Sequence, residues 1–138
     1  MHLPDNDPQS GDVYYYPYRW HRQHPGAEAE KDRPCCVAIR LKAPFRGRSI
    51  FVLALSTTGV PVGGFGVIVP EEEMRRLRRL GPGPCWLTTS ECNLTDPASP
   101  AFTRSEYLGT FSEQFMRGVV LPQLEGAIRQ ETTRVRKD

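Results

Sequence analysis

The residues best suited to chemistry fall at the ends of two apolar runs. Lys31-Asp32-Arg33-Pro34 leads into Cys35-Cys36-Val37-Ala38-Ile39, and Ile50 to Leu55 runs out into Ser56-Thr57-Thr58. Arginine keeps its charge at any working pH and offers a planar fork of donors, which suits phosphate oxygens. Hydroxyls add donors to the same charge. His21 and His24 precede Lys31; imidazoles titrate near neutrality and carry protons better than a guanidinium, which does not release one. This set suits RNA cleavage without a metal, by transfer of the phosphodiester to the neighbouring 2′-hydroxyl. Arg33 would hold the non-bridging oxygens, Ser56 or Thr57 would be the second donor, and His21 or His24 the general acid or base. Lys31 would add a cation for the backbone, and Tyr14, Tyr16, Trp20 and Phe65 are candidate surfaces for stacked bases. Each residue has an ordinary alternative: Arg33 pairing with Asp32 or Glu30, Ser56 closing a turn, the histidines solvated in a loop, the aromatics in a core.

Other constellations are missing. The chain has no Walker loop, no His-Glu-x-x-His and no Gly-x-Ser-x-Gly, and Gly63-Gly64-Phe65-Gly66 lacks the lysine and the helix of a phosphate loop. No cofactor is expected. Zinc on Cys35, Cys36, Cys85 or Cys92 with His21 and His24 is disfavoured, because no Cys-x2-Cys pair exists and adjacent Cys35 and Cys36 point to opposite faces of a strand. No metal is expected either, and the thiols read as small hydrophobes of a reduced core.

What must position these groups is a small, turn-rich fold. The 138 residues fit one domain, and 13 prolines with 12 glycines favour short strands over a helical bundle. A net charge of +2 does not by itself point to a polyanion. The first residues show no basic segment followed by an apolar stretch, and no run approaches the roughly 18 apolar residues of a membrane span, so a cytoplasmic location without membrane contact is expected.

Residues 1–10 read as a flexible leader, 11–132 as the domain and 133–138 as a charged, frayed tail. Strands are predicted from Gly11 to about Trp20, over Cys35 to Leu41, over Ile50 to Leu55, at Val67 to Val69, at Cys85 to Thr89 and at Tyr107 to Gly109. Ile50 to Leu55, apolar almost throughout, is the candidate central strand. His21 to Asp32 is expected to be a surface loop, Ala43 to Arg48 a basic turn and Thr95 to Arg104 a loop. Pro70-Glu71-Glu72-Glu73 opens a short basic helix, with Met74, Leu77 and Leu80 as its apolar stripe, closed by Gly81-Pro82. Arg75, Arg76, Arg78 and Arg79 would complement the dipole of that helix on a solvated face, with an RNA-facing patch as the alternative. A C-terminal helix starts at Ser112 with Phe115, Val119 or Val120, Leu124 and Ile128 on one face; Pro122 should kink or split it. The class is α+β, mostly β: a bent antiparallel sheet or small barrel with a terminal helix packed on it.

Gly11-Asp12-Val13, Lys31-Asp32-Arg33-Pro34-Cys35-Cys36-Val37, Phe51-Val52-Leu53-Ala54-Leu55-Ser56, and Cys85-Trp86-Leu87 to Glu91-Cys92-Asn93 resemble, in order and spacing, the MazF/PemK-like toxins of type II toxin–antitoxin systems. The resemblance covers most of Gly11 to Ile128. It implies an SH3-like barrel, a homodimer, metal-independent endoribonuclease activity on single-stranded RNA, and neutralisation by a cognate antitoxin that covers the RNA groove. Arg33 matches that family's catalytic arginine in its Arg-Pro motif, and Ser56 aligns with its catalytic hydroxyl, normally threonine, with Thr57 one position away. Serine keeps the donor and loses the methyl that restricts its rotamer. Ser90 to Asn93 stands where classical members of that family carry a further arginine. Those two departures support an alternative, a weak or inactive barrel that binds RNA or a protein partner; a third reading is an interaction domain whose basic helix meets an acidic partner.

Overall fold

The computed structural model describes residues 8–20, 32–45, 47–78, 80–81, 83–130 and 135–137. Its axis is β3 (Arg48–Ser56), which pairs antiparallel with β2 (Asp32–Phe45) along one edge. Along the other edge, Ile50 to Val52 pair with β6 (Cys92–Thr95), and Leu55 and Ser56 with β5 (Trp86–Thr88). β1 (Asp12–Pro17) lies between β2 and β7 (Tyr107–Thr110), while β4 (Gly66–Ile68) pairs with β5. The order β4-β5-β3-β2-β1-β7 is antiparallel throughout, and the fold is mostly β with a few helices, as the composition predicts. None of the described helices is long and apolar enough to cross a membrane.

Strand alternation divides the interior into two cores. Val13, Cys36, Ala38, Leu53 and Leu55 belong to one cluster; Tyr14, Tyr16, Cys35, Val37, Val52 and Ala54 belong to the other. Both faces of β3 are therefore buried, which is why its sequence is apolar without alternation, and the expected central strand is observed. The first cluster is covered by the C-terminal helical run through Phe115, Met116, Val120 and Leu124, with Leu77. The second is covered by Phe102 of the short helix α2 (Pro100–Thr103) and by Tyr18. Cys35 and Cys36 face opposite cores as expected, and all four thiols are buried and unbridged.

Several elements differ from the sequence reading. The helix expected after Pro70 lasts a single turn, α1 (Glu71–Met74). Beyond it, Leu77 bridges to Gly109, the Arg78 amide donates to Leu108 O at 2.8 Å, and the Arg76 Nε and Arg78 Nη2 donate to Thr110 O and Tyr107 O, both at 2.8 Å. Hydrogen bonds offered by β7 displace those of a continuing helix. Arg76 and Arg78 thus cap strand carbonyls instead of complementing a helix dipole, and Leu77 still reaches the core, with Met74 and Leu80 packed beside it. Gly109 permits this approach: its φ is +144°, and a Cβ there would run into Arg76 O.

Pro122 neither splits nor ends the last helix. α3 (Glu113–Phe115) passes through a π-helical turn (Met116–Val120) into α4 (Leu121–Gln130), and the Leu121 amide donates to Met116 O, five residues back. Pro122 has no N–H and its ring crowds the preceding turn; widening that turn accommodates both. The start at Ser112 is as expected: its Oγ accepts from Phe115 N at 3.1 Å, while its own N–H and O–H donate to the buried Glu73 carboxylate at 2.8 and 2.6 Å. Of the two valines, Val120 is buried and Val119 exposed.

Four further corrections concern polar stretches. β2 continues to Phe45, through part of the expected basic turn. The expected loop from Thr95 begins after strand β6 and contains α2, whose Phe102 is the only large apolar residue in that stretch and seats it on the sheet. The tail is not entirely frayed, since β8 (Val135–Lys137) pairs in parallel with β6. Within the leader, the Ser10 hydroxyl donates to Ala38 O at 2.8 Å and the Gln9 amide to Asp12 Oδ2 at 2.8 Å, so its last residues are anchored.

Burial pushes all four thiols up, Cys92 to about 12 with a further contribution from the Glu91 charge. An unfolded thiol ionises near 9.0. Between that value and the folded one the unfolded chain binds fewer protons, so the contribution is complete below the unfolded value and is lost as pH rises. Urea denaturation at about pH 8 and about pH 10 should show a loss on the order of 1 kcal/mol per thiol per pH unit. The drop should be smaller in Cys92→Ala than in the parent chain.

Candidate functional site

The register of β2 on β3 brings the two predicted groups together. Cys35 pairs with Ala54 and Cys36 with Leu53, so extending the register by two residues sets Arg33 level with Ser56. Alternation puts both on the face that carries Cys35 and Ala54. Thr57 lies one step further, beyond the strand and exposed. Of the two candidate hydroxyls, Ser56 is thus the one that shares a face with the arginine.

A cleft of about 260 Å³ wraps around these strand ends, lined by Arg33, Pro34, Leu55, Ser56, Thr57 and Thr58 and, further along the chain, by Met74, Leu80, Gly81, Gly83 and Cys85. Its described lining carries one cation, three hydroxyls and no carboxylate. Arg33 is half-buried, and its Nε has no hydrogen-bond partner among the described residues. The guanidinium carbon stands 5.3 Å from the centroid of the Trp20 ring, within cation–π range. The Nε does not pair with Asp32, and Glu30 lies outside the described residues. A desolvated guanidinium N–H without an acceptor among the described residues is one that an anionic oxygen can satisfy.

Ser56 closes a turn and also keeps a donor. Its Oγ accepts from Thr58 N at 3.1 Å and shares a hydrogen bond with Thr58 Oγ1 at 2.9 Å. Two hydroxyls have two protons, and one such bond uses one of them; whichever oxygen donates, a proton of the pair stays free to donate outward. Thr58 therefore belongs to the site, although the sequence reading does not give it a role. The Ser-x-Thr spacing, in which a hydroxyl accepts from the amide two residues on, is the signal for it.

The remaining candidates separate. Tyr16 is not a stacking surface: it is buried, its hydroxyl donates to Thr95 Oγ1 at 2.9 Å, and its ring lies 5.8 Å from Phe102. Tyr14 is likewise buried, 4.7 Å from the same ring. Both fail because β1 is an interior strand whose second face is covered by α2, an element the sequence reading lacks. Trp20 is half-buried and turned to Arg33. Phe65 remains exposed, on a loop whose backbone is fixed: Phe65 N donates to Ser90 Oγ at 3.0 Å, and Phe65 O accepts from Thr89 N and Ser90 N at 3.0 and 3.2 Å. His21, His24 and Lys31 lie outside the described residues. Ser90 to Asn93 is buried throughout.

No family model, curated protein or solved structure matches the chain.

The loop that carries Phe65 and borders the hydroxyl turn depends on Gly66, where a Cβ would run into the Leu87 carbonyl oxygen. Gly66→Ala should part β4 from β5 and cost about 2 kcal/mol, a magnitude usual for backbone conflicts of this kind. A lower urea midpoint and faster chymotryptic cleavage at Phe65 would register it.

Proposed function

We propose that the chain is a metal-independent endoribonuclease acting on single-stranded RNA by attack of the 2′-hydroxyl. The observation that carries this reading is the meeting of Arg33 and the Ser56–Thr58 hydroxyl pair at one cleft with no described carboxylate in its lining. Such a lining favours an anion, and a fixed cation with a hydroxyl donor is what a phosphorane-like transition state requires. His21 or His24 would move the protons. The resemblance to MazF/PemK-like toxins extends the proposal: an SH3-like barrel as the form of the bent sheet, a homodimer, a cytoplasmic setting, and a cognate antitoxin as inhibitor. A second reading is a barrel that binds RNA without cleaving it; it is favoured by the burial of Glu91, Cys92 and Asn93, which leaves no second cation at the position where that family has one.

Incubation of a long single-stranded RNA in excess EDTA separates the two. Cleavage that leaves 2′,3′-cyclic phosphate and 5′-hydroxyl ends is expected. Arg33→Ala should slow it by about 10²–10³-fold, the range found when a transition-state donor is removed. Ser56→Ala should cost roughly 10-fold or more, and Thr57→Ala less than about 3-fold, because only the former shares a face with the cation. RNA retained without cleavage would select the binding reading.

A further inference from the structure

After Pro17 the chain leaves the sheet through a tight turn, in which Tyr18 N donates to Tyr16 O at 2.8 Å. Residues 18–20 then have no strand neighbour. The fully buried Asn93 side chain takes that role: its Oδ1 accepts from Arg19 N at 2.9 Å and its Nδ2 donates to Arg19 O at 2.8 Å. One residue earlier, the buried Tyr18 hydroxyl donates to Glu91 Oε2 at 3.2 Å. Burial, reinforced by the Glu91 charge, holds the Tyr18 phenol well above its ordinary pKa, so it stays a donor. The Tyr18 ring meets Trp20 edge-on, with centroids 4.9 Å apart and planes at 64°. Trp20 in turn lies under the Arg33 guanidinium.

We infer that Glu91 and Asn93 are positioning residues that act through Trp20 on Arg33. The inference rests on the reading of Arg33 as the cation that holds the scissile phosphate. Arginine ends a long flexible stem, and a guanidinium that must be ordered during the reaction gives up part of its effect. Here its platform is held from β6, which is paired to β3 through Val52 and Asn93, while Ser56 ends that same β3. Both halves of the site are thereby referred to a single strand. The stretch without the family's further arginine has acquired another use: it fixes the first arginine.

The test uses kinetics and fluorescence on the full chain. Trp20→Leu should lower kcat about 10-fold with KM changed by less than about 2-fold, while Trp20→Phe, which keeps a ring face, should stay within about 3-fold of the parent. Asn93→Ala should reproduce the Trp20→Leu pattern, and the double variant should lose no more than either single one, because both act on one group. A raised KM with kcat unchanged would mean that Trp20 binds RNA directly, and additive losses would mean that Asn93 acts elsewhere; either overturns the inference. Where Asn93→Ala does not fold, the Trp20 pair decides. If the parent chain cleaves no RNA, the functional reading fails, yet the platform remains testable. In a Trp86→Phe background, which leaves Trp20 as the single tryptophan, Arg33→Ala should shift Trp20 emission and increase acrylamide quenching. Unchanged fluorescence would overturn the platform.

Discussion

The burial of β3 on both faces is the constraint on which the rest of the molecule depends. Phe51, Leu53 and Leu55 contribute to one core and Ile50, Val52 and Ala54 to the other. At about 1.5–3 kcal/mol for a fully buried large aliphatic side chain, this single strand holds a large share of the hydrophobic free energy. A strand buried in this way cannot slip by one residue, because a slip would exchange every side chain between two differently shaped cores. Its register on β2, β5 and β6 is therefore fixed, and with it the level at which Arg33 and Ser56 meet.

The proposed chemistry sits where that constraint ends. At Ser56 the strand leaves the two cores, and the chain turns through Thr57 and Thr58 into an exposed segment. Polar groups placed there avoid the cost of full burial yet inherit the rigidity of the strand behind them. The open edge at β7 is managed differently. Its carbonyls are taken by the backbone and guanidinium groups of residues 76–78, which also brings Leu77 into the first core. Arg76 and Arg78, which look in sequence like part of a basic surface, are thereby committed to the fold.

Strands β2 to β5 and β7, the start of β1, the central position of β3, the opposite orientation of Cys35 and Cys36, and the start of the last helix at Ser112 are legible in the sequence because each follows from local pattern and periodicity, whereas β6 is not and β1 ends at Pro17, short of the expected Trp20. What is not legible depends on distant partners. The shortening of α1 is decided by Gly109 and β7, more than thirty residues away in the chain; β8 forms because β6 offers it an edge. Pro122 signals a conflict with helical hydrogen bonding without revealing that a π-helical turn resolves it. Tyr14 and Tyr16 look like surface aromatics until α2 is known to cover them. Within the site, Arg33 and Ser56 could be named from residue type and position at the strand ends, whereas Asn93 could not, since its contact is to the backbone of a residue seventy-four positions earlier.

The serine at position 56 shows how a side-chain rotamer can be held by its surroundings. A threonine there would have its rotamer limited by the β-methyl, and serine alone would not. In this chain the Ser56 oxygen is held from outside, by the Thr58 amide and by the Thr58 hydroxyl. Two hydrogen bonds to neighbouring groups restrict the same torsion that a methyl would restrict by crowding. The difference lies in protons: a methyl leaves the hydroxyl unengaged, while the Ser56–Thr58 pair shares one proton and keeps the other. A donor from this pair can then come from either oxygen, so the proposed anion donor is a two-residue unit beside Arg33, whose inferred platform is anchored to the same strand.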